Sequence, residues 1–266
     1  MLGLFAAALL FAGASQAQLA PPNDAGVTMG HLHFVVSDLD ANVKFWTTLG
    51  GTPFKFGPGQ GVKFPGVLIL LRKGDPTGPM DGSIVNHVGF HVPNVQAALA
   101  KWKADGIKTE AGRSPQQGYV YTPDGLAKIE FLEDSSMSVP IAFHHVHFYV
   151  AANSAGADSI PEIKAWYVKM FGAKPGKAGQ FEIADIPGVS FRFTKSDTPV
   201  VGTKGRSLDH IGIEIKNLEA FCKMVEANGV KFDMPYTKRP DLGISLAFLT
   251  DPWGTYIELN EGLDHY

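Results

Sequence analysis

The chain has 266 residues, enough for one large domain or two ordinary ones. Its 23 Lys and Arg nearly balance its 26 Asp and Glu, giving a formal net charge of -3 with no polybasic run, which argues against nucleic acid as a partner. The single cysteine, Cys222, permits no intrachain disulfide and reads as a small apolar residue of a helix.

Met1 to Gln18 carries no charged side chain, and its apolar run from Leu2 to Ala12 is followed by small Ser15 and Ala17. Residues 1–17 therefore read as a secretory signal, and the protein as exported to a periplasmic or extracellular space. The run is short for a spanning helix, so no membrane association is expected once it is removed. Residues 18–26, with Pro21 and Pro22, read as a tether.

A strand follows at Gly30-His31-Leu32-His33-Phe34-Val35-Val36, in which His31 and His33 share a face. Asp38 then opens a helix that runs through Val43, Phe45 and Trp46 to Gly50-Gly51, and Val67 to Leu71 reads as a strand. The same order recurs three times. Asn86-His87-Val88-Gly89-Phe90 precedes a helix from Asn94 through Leu99 and Trp102 to Gly106, and Pro123-Asp124-Gly125 turns into Ile129-Glu130-Phe131. His144-His145-Val146-His147 precedes a helix from Ile160 through Trp166 to Gly172, with a loop at Asn153–Asp158 between them and a strand at Val189–Phe193 after it. Asp209-His210-Ile211-Gly212 precedes a helix from Asn217 through Phe221 to Gly229, and Asp251-Pro252-Trp253-Gly254 turns into Ile257-Glu258-Leu259. The chain is thus four strand-helix-strands units with an internal duplication: residues 27–134, a linker at 135–140, and residues 141–262.

Each half repeats a histidine opening one strand, a histidine opening a later strand, and a glutamate in a hairpin strand. Two imidazoles and a carboxylate are the smallest protein set for a divalent metal that keeps open positions. With this order repeated, residues 27 to 262 resemble the vicinal oxygen chelate superfamily, which includes glyoxalase I, extradiol dioxygenases, fosfomycin-resistance enzymes and bleomycin-binding proteins. The resemblance implies an α+β fold of four tandem βαβββ units, paired into two modules with curved mixed sheets. By position it implies metal ligands His145, His210 and Glu258 in the second module, and His31, His87 and Glu130 in the first. The first set carries a spacing mismatch: five residues separate Gly125 from Glu130, but four separate Gly254 from Glu258. A one-residue slip reverses a strand's faces, so either the turn at Leu126-Ala127-Lys128 absorbs it or Glu130 points away, which ranks the second set above the first.

Glyoxalase I takes a further glutamate from the last strand of a module's first unit; here the strands at Val67–Leu70 and Val189–Phe193 carry none. Extradiol dioxygenases add a histidine and a tyrosine from the final unit. No histidine lies between Ile211 and Ile257, and Leu246-Ala247-Phe248-Leu249 lacks the tyrosine, leaving Tyr236 and Tyr256 nearby. The implied function is a divalent-metal enzyme, with Fe2+ or Mn2+ favoured over Zn2+ or Ni2+, acting on a small molecule with vicinal oxygens by dioxygenase-like or lyase/isomerase chemistry. The alternative is a metal-free protein that sequesters a small molecule, as in bleomycin resistance. Glu214, four residues after His210 on the same face, is the candidate base. His33, His147 and His91 are candidate neighbours of the metal, while His144 is expected to face away and His265 to lie in a frayed end. Phe148, Phe191, Phe193, Trp253 and Tyr256 are candidate pocket walls, with Arg192 or Arg239 for an anionic group. The chain is expected to act as a monomer or a homodimer.

Overall fold

A computed structural model describes residues 19–152 and 158–266. The signal reading of residues 1–17 and most of the loop at Asn153–Asp158 fall outside the described residues. The first unit is β1 (Val27–Val36), α1 (Leu39–Thr48), β2 (Thr52–Phe56), β3 (Gly59–Phe64) and β4 (Val67–Lys73). The second is β5 (Val85–Val92), α2 (Val95–Ala104), β6 (Thr109–Ala111), β7 (Gln117–Tyr121) and β8 (Lys128–Glu133). The third is β9 (Ala142–Ala151), α3 (Ile160–Phe171), β10 (Lys174–Ala178), β11 (Phe181–Ile186) and β12 (Val189–Ser196). The fourth is β13 (Leu208–Ile215), α4 (Leu218–Ala227), β14 (Phe232–Arg239), β15 (Ile244–Thr250) and β16 (Tyr256–Glu261).

Local chemistry sets the helix ends. Asp38, Asn94 and Asn217 each accept a hydrogen bond from the backbone N–H three residues on, satisfying a donor that the first turn leaves free. α3 has Pro161 in its first turn and stops at Gly172, whose φ of 61° only glycine adopts cheaply.

The four βαβββ units build two curved, mixed, eight-stranded sheets, ordered β14-β15-β16-β13-β1-β4-β3-β2 and β10-β11-β12-β9-β5-β8-β7-β6. The pairing corrects the division into modules. Unit 1 shares its sheet with unit 4, through an antiparallel β1–β13 seam, and unit 2 shares its sheet with unit 3, through β5–β9. Residues 27–134 and 141–262 are therefore each split between the sheets, and the linker at 135–140 joins β8 and β9 of a single sheet. The segments that cross between sheets are those after β4 and β12, which pair with each other at Ser83 and Val201. Every unit presents the same open edge on its first strand, so sequence order alone does not select the partner.

The tether is docked rather than free: Asn23 donates to the Phe171 carbonyl at 2.9 Å and accepts from the Val27 N–H. The apolar faces of both sheets meet around the helices. Trp46 of α1 is fully buried against Phe34, Phe45 and Phe64 of its own unit, and Phe90 of the other sheet. Trp46→Ala is expected to cost about 3–5 kcal/mol, because it opens a cavity where the sheets join. Urea unfolding reads this directly; a loss under about 1 kcal/mol would mean the sheets do not share that core.

Candidate functional site

Strand alternation turns Leu32 and Phe34 of β1 into the core and His31 and His33 to the opposite face. Across the seam His33 lies opposite His210, and His31 opposite Gly212, which in turn lies beside Glu258 on β16. Adjacent strands are about 4.8 Å apart, so β13 separates His31 from Glu258. Gly212 has no side chain, and the His31 ring lies over it, bringing Nε2 to 3.3 Å from Glu258 Oε2. His210 Nε2 is 2.8 Å from the same oxygen, and its Nδ1 donates to Asp209 Oδ1 at 2.5 Å. One donor atom from each of His31, His33, His210 and Glu258 lies within 4.8 Å of the others.

All four groups are buried or partly buried, and their charges follow from that. Burial lowers the pKa of His31, and lowers that of His33 well below the usual range with help from His210, so both rings are neutral at pH 7. Burial also opposes charge on His210, but its bonds to Asp209 and Glu258 outweigh this and raise its pKa. Glu258 stays ionised: burial pushes against its charge, and His210 and His31 hold its pKa well below the ordinary value. The cluster opens at the bottom of a cleft of about 680 Å³, walled by Phe56, Leu70, Leu246, Phe248 and Tyr256, with Arg72, Lys204 and Arg239 also lining it.

The second sheet repeats the arrangement. His145 lies over Gly89, which stands between it and Glu130 on β8, and His145 Nε2 is 3.0 Å from Glu130 Oε2. His87 Nε2 is 3.4 Å from the same oxygen and 3.2 Å from His147 Nδ1. The proposed triads are thus corrected by one exchange: His31 joins His210 and Glu258, and His145 joins His87 and Glu130. Glu130 faces its histidines, because the turn from Thr122 to Ala127, closed by hydrogen bonds in both directions, absorbs the extra residue. The ranking by spacing therefore had no basis in facing.

Several single residues also fall differently. Glu214 is not in the cleft: it lines a separate cavity beside Leu19 to Pro22, where Oε1 accepts from the Gly262 and Leu263 N–H groups and burial raises its pKa to about 7. This carboxyl fastens the C-terminal turn. His91 stacks on His144 with ring centroids 3.8 Å apart, on the far side of His145. Phe148, Phe191 and Phe193 are fully buried core, whereas Tyr256 and Arg239 line the cleft and Arg192 lines the second site. Asp209, Phe248, Gly89 and Gly212 were not singled out from the sequence. The signal for the glycines was present as His-x-Gly in both His87-Val88-Gly89 and His210-Ile211-Gly212.

The residues around Glu258 fit a divalent metal. Neither ring nitrogen of His33 has a hydrogen-bond partner, and His31 Nδ1 has none while its Nε2 faces Glu258 at 3.3 Å; burying these polar atoms is costly unless something else takes the lone pair each neutral ring offers. Imidazole nitrogens with an ionised carboxylate are the donor set such an ion requires, and the Asp209 carboxylate behind His210 holds that ring as ligand histidines usually are held.

A family model described as the glyoxalase/bleomycin resistance protein/dioxygenase superfamily matches residues 142–259. No curated protein sequence matches the chain significantly. Among solved structures, glyoxalase I from Zea mays is 16% identical with a TM-score of 0.66, over 90% of this chain and 94% of that one. A point mutant of the same maize enzyme gives 16% and 0.68, over 90% and 95%. A candidate dioxygenase from Bacillus subtilis subsp. subtilis str. 168 gives 15% and 0.64, over 94% and 88%. At these identities the structures speak for the fold alone. The second half of the chain thus matches the glyoxalase/bleomycin resistance protein/dioxygenase superfamily in sequence, and the whole length shares the fold of these solved structures.

Proposed function

We propose that the chain is a divalent-metal-dependent enzyme whose working site is the cleft above His31, His210 and Glu258. The observation that carries this reading is the set of unpartnered ring nitrogens gathered around one ionised carboxylate at the base of the larger cleft. A divalent ion held there supplies Lewis-acid polarisation of vicinal substrate oxygens or, with Fe2+ or Mn2+, oxygen activation. The protein's own groups do the rest. Leu70, opposite His33 on β4, stands on the strand where a further carboxylate is absent, so the protein offers two histidines and one carboxylate. That donor set favours Fe2+ or Mn2+ and oxygenase chemistry over the lyase.

Phe248, Leu246 and Leu70 exclude water around an apolar substrate body, and Arg72, Lys204 and Arg239 attract an anionic or strongly polar substituent. His33 offers an unpartnered ring nitrogen as a hydrogen-bond acceptor for a substrate hydroxyl. The reading of residues 1–17 as an export signal belongs to this same proposal, with a small-molecule substrate met outside the cytoplasm. The test is anaerobic reconstitution with Fe2+ or Mn2+, followed by a screen of catechols and other vicinal-oxygen compounds with and without oxygen. Turnover that falls by about 1,000-fold or more in Glu258→Ala supports the proposal. Ligand binding without metal or turnover in either protein would transfer the chain to the sequestering members of the family.

A further inference from the structure

The two histidine clusters are twins in backbone, but not in what surrounds them. Where the Glu258 site presents Leu70 opposite His33, the Glu130 site presents Arg192 opposite His147. Where Phe248 lies opposite Glu258, Tyr119 lies opposite Glu130, and the place of Leu246 is taken by Gln117. Glu130 consequently meets more protein donors than Glu258, whose Oε1, among the described residues, accepts from Asn260 Nδ2 alone, at 2.7 Å. Its Oε1 accepts from Gln117 Nε2 at 2.5 Å and from Tyr119 OH at 3.0 Å, while Oε2 faces His87 and His145.

The positive charge is not saturated. Arg192 Nε is buried without a hydrogen-bond partner, and the guanidinium lies 6.0 Å from the Phe181 ring centroid, with Arg113 also lining the cavity. What differs is where the cation stands: Arg192 is on the strand directly beside His147, where the Glu258 site has Leu70, and the carboxylate of Asp209 stands behind His210 at that twin site. A guanidinium on the neighbouring strand opposes a divalent cation among His87, His145 and His147, and the Glu258 cluster has no such neighbour on β4 beside His33. The donor atoms that approach within 4.8 Å also differ: they include the carboxylate at the Glu258 site, but only His87, His145 and His147 at the other.

We propose that the cavity formed by His87, His147, Arg113 and Arg192 is a binding site for a small monocarboxylate, not a second metal centre. A guanidinium presents two parallel N–H groups to a carboxylate, and the nearby Glu130 charge disfavours a doubly charged anion such as phosphate. The cavity holds about 180 Å³, on the order of six water molecules by liquid volume, which suits an acid of two to four carbons.

The test is calorimetric titration of the chelator-treated protein with sodium pyruvate. The parent and Glu258→Ala are expected to bind one equivalent with equal affinity, Arg192→Leu to bind at least about tenfold more weakly, and Arg192→Lys, which keeps the charge but not the fork, to fall between them. No binding by the parent, undiminished binding by Arg192→Leu, or loss in Glu258→Ala would overturn the proposal. The proposed function is read separately, from metal and turnover at the Glu258 site, so either can fail alone.

Discussion

Gly212→Ala is expected to weaken metal binding by at least about 100-fold and to destabilise the metal-free protein by about 1–3 kcal/mol. A Cβ at this position would overlap the His31 ring at Nδ1 and Cε1, well inside the 3.0 Å below which something must shift. β13 is hydrogen-bonded on both sides, to β1 and β16, so the backbone has little room to yield and the ring must leave Glu258. Gly212 is not among the positive-φ glycines, so its own backbone accepts alanine and the clash with His31 is the whole effect. Gly89→Ala is the matched control: its Cβ would overlap the His145 ring in the same way, and it should leave the metal in place while disturbing the other site. Manganese titration with thermal unfolding of both variants checks this. Normal affinity in Gly212→Ala would mean that His31 does not reach over the glycine to Glu258.

Stability of the chelator-treated protein is expected to fall steadily as pH drops below 6.5. Burial lowers the folded-state pKa of His31, His33 and His145, and brings those of His144 and His147 to about 3. Below pH 6.5 the unfolded chain takes up protons that these rings refuse when folded, so each ring removes up to about 1.4 kcal/mol per pH unit until its folded pKa is reached. His210 works in the opposite direction: its raised pKa adds stability that is complete below 6.5 and is lost as pH rises through the folded value. One ring does not offset five. Glu258 and Glu130, both depressed, contribute stability above pH 4.5 that disappears as pH falls further. The unfolding temperature should drop by at least about 10 °C between pH 7 and pH 5, since the five rings together remove several kcal/mol over that range. A flat profile across that range would show that these histidines are not buried in the folded state.

Much of this molecule was legible in its sequence, because local rules act over a few residues. Asp38, Asn94 and Asn217 marked helix starts through their side-chain caps, and the alternation of His31-Leu32-His33-Phe34 gave the two faces of β1 before any partner was known. The six residues named from the sequence lie in two groups, His31 and His210 around Glu258 and His87 and His145 around Glu130. Which histidine joins which glutamate was not legible, because it depends on the pairing of first strands that lie far apart in the chain and are nearly equivalent in pattern. Glu130 illustrates the same limit on a smaller scale: counting residues from Gly125 predicted a possible reversal of face, and the side-chain bonds of Thr122 and Asp124 within the turn removed it. Glu214 shares a strand face with His210, but the face extends beyond the cleft, and the N–H groups of the C-terminal turn claim the carboxylate first.

The most direct test of the exchanged pairing is metal content, measured by elemental analysis on untagged parent protein, His31→Ala and His145→Ala after identical loading with Mn2+. About one equivalent in the parent and in His145→Ala, with loss in His31→Ala, is the result the geometry predicts. Retention by His31→Ala together with loss in His145→Ala would contradict it and return the metal to the grouping given by sequence order.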